Sequence, residues 1–141
     1  MAPSPDRPLL VVEDDEDIRE ALQGYLELQG YAVQVARDGR EALERLEALP
    51  RPALILLDMA LPVMDGHRVL MARGRSEVLA QVPVVILSAG MTDMHPRDRA
   101  VYAASQGVAA LLPKPVDPRQ LLETVQRLLA GTAAARADAH P

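Results

Sequence analysis

Acidic side chains follow two apolar segments of this sequence, each at the point where a predicted strand ends. Glu13 and Asp14 follow one apolar run, and Asp58 follows another. Carboxylates brought together repel one another and raise one another's pKa unless a cation joins them. Oxygen ligands suit a hard divalent ion, and Mg²⁺ is commonly held by one or two carboxylates, water and a substrate phosphate. The three acids therefore indicate a magnesium site.

A hydroxyl and an amine, those of Ser88 and Lys114, stand at the ends of two further predicted strands. A carboxylate beside a metal ion can act as a nucleophile and become an aspartyl phosphate. In-line phosphoryl transfer then requires positive charge and hydrogen-bond donors around the equatorial oxygens. Asp58 as nucleophile, Lys114 as cation and Ser88 as hydroxyl donor fit that chemistry.

The elements that must position these residues alternate along the chain. Short apolar runs predict five strands, near residues 8–13, 31–36, 53–57, 82–87 and 108–112. Apolar residues at helical spacing predict a helix after each strand. The third of these runs from about His67 to Leu79, and the fourth has Ala100, Val101 and Ala104 facing inward. Asp117 is the expected N-cap of the last helix, with Pro118 at its first position. This alternation predicts an α/β fold, doubly wound around a parallel sheet.

The character of the strands predicts their order. The first, third and fourth are continuous apolar runs, as expected when helices cover both faces, whereas the second alternates like an edge strand. Right-handed crossovers then favour the order 2-1-3-4-5. Ligands of such sheets bind beyond the carboxyl ends of the strands, at the switch point between strands one and three. The acids lie at that point.

Composition excludes several classes of function. A chain of 141 residues with a net charge of −5 has one domain's length and lacks the basic surface that binds nucleic acid. No apolar run approaches a membrane span, and the absence of cysteine excludes thiolate chemistry, so a cytoplasmic protein is expected. We expect a flexible N-terminus over residues 1–7, a domain over 8–130, and a disordered Ala-rich tail over 131–141.

Four segments resemble the receiver domains of two-component response regulators, over about residues 8 to 130: LLVVEDDEDIREAL, LILLDMALPVMDG, VVILSAG and LLPKPVD. The resemblance implies a (βα)5 flavodoxin-like fold and a phosphorelay role, in which Asp58 accepts a phosphoryl group from a histidine kinase or a histidine phosphotransfer protein. It also implies that the face formed by the fourth helix, fifth strand and fifth helix binds a protein target of unknown identity.

The same resemblance assigns roles around Mg²⁺ and the phosphoryl group. Asp14 touches the metal directly, Glu13 acts mainly through water, and the backbone carbonyl of Ala60 completes the metal site. Ser88 and Lys114 bind the phosphoryl group and take part in switching.

Other positions at the predicted site are small or depart from the family pattern. The backbone of Ala89 borders the phosphate, and the Lys114–Pro115 bond resembles the family's cis peptide. Leu111 stands where the family usually has a switch aromatic, and leucine has no ring to turn inward. Ala60 and Gly90 occupy the two positions that tune self-hydrolysis in the family, and neither side chain can hold a water.

Each of these residues has an ordinary explanation when taken alone. Acids favour the start of a helix, an aspartate after a strand often forms a turn, a serine often caps one, and a lysine between prolines can be a loop charge. All four explanations would have to hold together for the site to be absent.

Two other functions remain as alternatives to a switch. One is a degenerate receiver that acts as a binding module without phosphorylation, and the other is a Mg²⁺-dependent phosphohydrolase with an aspartyl-phosphate intermediate. Such hydrolases generally need a second acid two residues after the nucleophile, where Ala60 stands. We therefore expect a signalling phosphoacceptor rather than an enzyme. The short tail favours a stand-alone protein over a domain cut from a longer regulator.

Overall fold

The computed structural model describes residues 7–48, 50–59, 66–89, 95–105 and 107–139. Its strands are β1 Leu9–Val12, β2 Val33–Ala36, β3 Leu54–Asp58, β4 Val84–Ser88 and β5 Ala110–Pro113. Its helices are α1 Glu16–Leu28, α2 Gly39–Glu47, α3 Gly66–Gly74, α4 Pro96–Ser105 and α5 Pro118–Ala139, with a 3-10 turn at Leu79–Gln81.

The five strands form one parallel sheet in the order β2-β1-β3-β4-β5, which confirms the predicted order. Strand β1 is buried along its length and lies between β2 and β3, whereas β2 is half-buried at the edge. From β1 the chain continues to β2 on one side, and it then crosses back to form β3 on the other side of β1. A crevice therefore opens beyond their carboxyl ends.

Helices cover both faces of the sheet and create two apolar layers. On β1, Leu10 and Val12 belong to one layer while Leu9 and Val11 belong to the other, as the alternation of side chains along a strand requires. Complete burial of one such leucine side chain contributes about 1.5–3 kcal/mol. The strands at the centre are thus fixed from both faces, and their carboxyl ends are rigidly placed.

Helix ends follow local signals in the sequence. Asp15 is the N-cap of α1 and accepts a hydrogen bond from the backbone N–H of Ile18. Asp117 caps α5 as predicted, with its carboxylate accepting from the N–H of Arg119 at 2.9 Å. Gly30, at φ 97°, follows α1 in the left-handed conformation that glycine adopts at little cost.

Three boundaries or faces differ from the prediction. Helix α3 ends at Gly74 rather than near residue 79, where a separate 3-10 turn forms. Helix α4 buries Ala103, while Ala100, Val101 and Ala104 are exposed, because alanines give little amphipathic signal. Helix α5 continues to Ala139 in place of the expected disordered tail from residue 131, as the high helix propensity of alanine allows.

Candidate functional site

Strand β1 delivers two acids of opposite accessibility. The backbone N–H of Glu13 donates to the carbonyl of Ala36 at 3.0 Å, which continues the ladder between β1 and β2 by one residue. This turns the Glu13 carboxylate inward, where the residue is 1% exposed, whereas Asp14 is exposed. The acidic pair therefore presents one buried and one solvated carboxylate.

Asp58 is the last residue of β3 and lies beside Leu87 of β4 in the sheet register. Its residue exposure is only 2%. One carboxylate oxygen from each of Glu13, Asp14 and Asp58 lies within 4.8 Å of the other two. Three like charges at this separation, two of them buried, require compensating positive charge.

Lys114 supplies part of that charge from beyond β5. Its Nζ atom lies 3.1 Å from Glu13 Oε2 and 3.2 Å from Asp58 Oδ2, and it also donates to Glu13 Oε1 at 3.4 Å. Its backbone N–H donates to the carbonyl of Ser88 at 2.9 Å, and the following bond to Pro115 is cis, as the resemblance implies. One ammonium thus joins the ends of two different strands.

The pKa values of Glu13 and Lys114 are both raised, for different reasons. Burial raises the pKa of Glu13, and the nearby charge of Asp58 adds to this, while the hydrogen bond and charge of Lys114 oppose it. Burial lowers the pKa of Lys114, but the hydrogen bond to Glu13 and the charges of Asp58 and Glu13 outweigh it, so the net pKa is raised. Both groups therefore favour their protonated forms, Glu13 mainly because it is buried and Lys114 because it lies beside the carboxylates of Glu13 and Asp58.

Ser88 and Ala89 lie at the carboxyl end of β4. The Ser88 hydroxyl donates to the backbone carbonyl of Ala89 at 3.2 Å, and Ser88 is paired with Pro113 in the register of β5. Ser88 is partly exposed and Ala89 is exposed. The hydroxyl therefore stands at the same rim as the acids and is accessible to a ligand.

A sequence profile described as the response regulator receiver domain matches residues 9–126. The chain belongs to this family. The receiver domain has the five-stranded doubly wound flavodoxin-like fold, and known proteins of the family share both its sequence and its shape.

The chain is 36% identical to the response regulator MprA of Mycolicibacterium vanbaalenii over 127 residues, which are 88% of this chain and 51% of that protein. A receiver domain of a signal transduction histidine kinase from Syntrophus aciditrophicus superposes with a TM-score of 0.74 at 34% identity, covering 89% of this chain and 91% of that one. A CheY-like receiver domain protein from Methanospirillum hungatei has a TM-score of 0.76 at 27% identity, covering 92% and 98%. The chain spans about half the length of the curated relatives it matches.

The acid cluster of this receiver domain has the donors that a hard divalent cation requires. Its three residues offer only oxygen ligands. Glu13 Oε2 is buried and accepts no hydrogen bond among the described residues, although it lies 3.1 Å from Lys114 Nζ. A second positive charge would relieve this atom. Glu13, Asp14 and Asp58 therefore fit a divalent ion, whereas Ala60, whose carbonyl was predicted as a further ligand, lies outside the described residues.

Gly66 and Leu111 have structural roles that the sequence alone did not reveal. A Cβ atom at Gly66 would lie 2.5 Å from Met59 Sδ, which can move, and 3.1 Å from the backbone Cα of Met59, so there is little room for a side chain where α3 starts beside β3. Leu111 is 5% exposed and belongs to the apolar layer that contains its neighbour Ile86.

Among the described residues, no helix is both long and apolar enough to cross a membrane.

Proposed function

We propose that Asp58 accepts a phosphoryl group from the phosphohistidine of a histidine kinase or a histidine phosphotransfer protein, in a Mg²⁺-dependent reaction. The observation that carries the proposal is the position of Lys114 Nζ, within 3.2 Å of both the Glu13 and the Asp58 carboxylates. The Lys114 ammonium lies between two buried carboxylates, so it is neither a free charge in solvent nor part of the apolar core. It is suited to bind an anion that arrives on one of them.

The proposed transfer forms a bond between phosphorus and an Asp58 carboxylate oxygen as the bond from phosphorus to the donor nitrogen breaks. Lys114 neutralises charge on the transferred oxygens, and the Ser88 hydroxyl exchanges its bond to the Ala89 carbonyl for one to the phosphoryl group. Glu13 and Asp14 would hold Mg²⁺ together with Asp58. When bound, the ion supplies positive charge where three carboxylates and a phosphate meet.

We further propose that the domain is a signalling phosphoacceptor rather than a phosphohydrolase. Ala60 stands two residues after Asp58, where a hydrolase would use an acid for the leaving group. Phosphorylation then changes how the chain binds another protein, in the cytoplasm, where kinases of this type have their donor domains. On α4, Val101 is 65% exposed and Tyr102 is 38% exposed, which supports the face of α4, β5 and α5 as the binding surface for a target.

A groove beside the site supports a protein as the phosphodonor. It has a volume of about 280 Å³ and is lined mainly by apolar residues of α1 and of the segment between β5 and α5: Ile18, Ala21, Leu22, Tyr25, Pro115 and Val116. Lys114 also lines it. An apolar helix face seated there would bring a donor histidine toward Asp58.

The test is phosphorylation by a small donor. The protein is incubated with Mg²⁺ and acetyl phosphate, and intact mass is measured for the wild type, for Asp58→Ala, and for Asp117→Ala as a matched loss of an aspartate elsewhere. We expect one added phosphoryl group on the wild type and on Asp117→Ala, and none on Asp58→Ala. Absence of the adduct on the wild type would favour the phosphorylation-independent binding module. Rapid turnover of several phosphoesters would favour a hydrolase.

A further inference from the structure

The Arg19 side chain of α1 reaches back to the loop that carries the acidic pair. Arg19 Nη1 donates to the backbone carbonyl of Glu13 at 3.1 Å. The backbone N–H of the same arginine donates to the carbonyl of Asp15 at 2.9 Å. Arg19 therefore bonds the carbonyls on both sides of Asp14.

The bond to Glu13 fixes a peptide whose orientation decides where Asp14 points. The Glu13 carbonyl belongs to the peptide unit that joins Glu13 to Asp14, and rotation of this unit swings the exposed Asp14 side chain. The N–H groups of Glu13 and Asp15 are engaged with other partners. Glu13 N–H donates to Ala36, and the N–H of Asp15 donates to Glu13 Oε1 at 3.3 Å. The Arg19 side chain is the contact that holds the carbonyl side of this peptide.

We propose that Arg19 is a positioning residue of the cation site, which holds the Glu13–Asp14 peptide so that the Asp14 carboxylate meets those of Glu13 and Asp58. The inference rests on the proposed function only in that these acids bind a divalent ion. Arg19 does not touch the ion. It acts through the loop, as partners behind metal ligands commonly do.

The Arg19 side chain has two opposing effects on Mg²⁺ binding. A guanidinium near the acids repels a divalent cation, so loss of its charge alone would tighten Mg²⁺ binding. Loss of positioning would weaken binding, because Asp14 would have to be ordered when the ion arrives. Repulsion between exposed charges is screened by salt, whereas a hydrogen bond that orders a loop is much less so. The direction of the change and its salt dependence therefore separate the two effects.

The experiment compares Mg²⁺ affinity in Arg19→Gln, Arg19→Lys and Arg127→Gln, followed by NMR titration of backbone amides without a phosphodonor. Glutamine and lysine keep good helix propensity at this position of α1. Arg127 is exposed on α5 and controls for the loss of one positive charge. Because outer partners of metal ligands typically contribute 10–100-fold and this bond is partly solvated, we expect about fivefold weaker binding in Arg19→Gln.

The Mg²⁺ affinity should be highest in the wild type, lower in Arg19→Lys and lowest in Arg19→Gln. Arg127→Gln should bind Mg²⁺ as tightly as the wild type. The order should not change at high ionic strength. In the presence of EDTA, the amide resonances of Asp14 and Asp15 should shift in Arg19→Gln and return toward the wild type in Arg19→Lys. Tighter or unchanged binding in Arg19→Gln would overturn the proposal, even if its melting temperature fell. Absence of Mg²⁺ binding in the wild type would refute the proposed cation site itself, and the inference with it.

Discussion

Replacement of the buried Glu13 by glutamine is expected to stabilise the domain when no divalent ion is present. Glu13 is 1% exposed, and its Oε2 atom accepts no hydrogen bond among the described residues. Glutamine has nearly the same shape and can still accept from Lys114 through its carbonyl oxygen, but its NH2 group then faces a donor, either Lys114 or the Asp15 N–H. The change therefore removes a buried charge with little loss of packing.

The magnitude follows from the distances. Glu13 is attracted to one ammonium at 3.1 Å and repelled by two carboxylates at 4.8 Å or closer. At an effective dielectric constant of 20, the attraction contributes about 5 kcal/mol and the two repulsions together cost about 7 kcal/mol, so the net Coulomb energy is unfavourable by about 1.5 kcal/mol. Burial of the charged carboxylate adds a desolvation cost, whereas the amide of glutamine loses one acceptor toward Lys114 or Asp15, which offsets part of the gain. We expect Glu13→Gln to raise the free energy of unfolding by about 1 kcal/mol.

This gain should depend on pH. The pKa of Glu13 is raised in the folded state, so the proton that the folded protein binds stabilises the wild type at low pH, and this stabilisation is lost as pH rises through the folded pKa. Below the pKa of Glu13 in the unfolded chain the two proteins should have similar stability. Above the folded pKa the glutamine variant should be more stable.

The assay is urea unfolding followed by circular dichroism, in EDTA and in Mg²⁺, at acidic and at mildly alkaline pH. Mg²⁺ should stabilise the wild type more than the variant, because the variant lacks one of three oxygen-donor acids. Asp15→Asn, which keeps a good N-cap outside the cluster, serves as the matched control. Destabilisation of Glu13→Gln by more than about 1 kcal/mol in EDTA at alkaline pH would refute the reasoning, because Glu13 would then act mainly as the partner that holds Lys114.

Three further predictions concern the residues around the acids, and urea unfolding checks each. Lys114→Met should lower the free energy of unfolding by about 2 kcal/mol. This is less than the ~3–5 kcal/mol for breaking a fully buried ion pair, because the lysine side chain is 21% exposed. The same change should slow phosphorylation by acetyl phosphate. An equal labelling rate would contradict its role toward the phosphoryl group. Gly66→Ala should lose about 1–3 kcal/mol through contact with Met59 Sδ, and Met59→Ala should restore part of the loss. Gly24→Ala in α1, where a Cβ meets nothing within 4 Å, should instead gain up to about 1 kcal/mol. Leu111→Ala should lose about 2–4 kcal/mol and still accept phosphate, because Leu111 packs in the core and is not a ligand.

The strand order and the meeting of the acids could be predicted because both depend on patterns of buried residues. The continuous apolar runs of β1 and β3 indicate central strands, and parallel strands bring their carboxyl ends, and hence Glu13 and Asp58, to one rim. Lys114 and Ser88 could be placed at the same rim for the same reason. The atomic contacts that Lys114 and Ser88 make could not be predicted from the sequence.

The features that the sequence did not reveal depend on side-chain geometry or on weak periodicity. Arg19 is six residues from the carbonyl that it binds, a spacing without a recognised pattern. Gly66 has a turn signal in the sequence, but the need for glycine arises from Met59, which packs across it. The buried face of α4 is one alanine wide, at Ala103, so hydrophobic spacing could not identify it.

The ion pair between Glu13 and Lys114 joins residues 101 positions apart. During synthesis, β1 and β3 leave the ribosome with both of their acids well before the lysine does. Until β5 joins the edge of the sheet, Glu13 and Asp58 have no ammonium between them, and the partial sheet has uncompensated carboxylates at its central rim. The last strand to emerge thus completes the charge balance of the first.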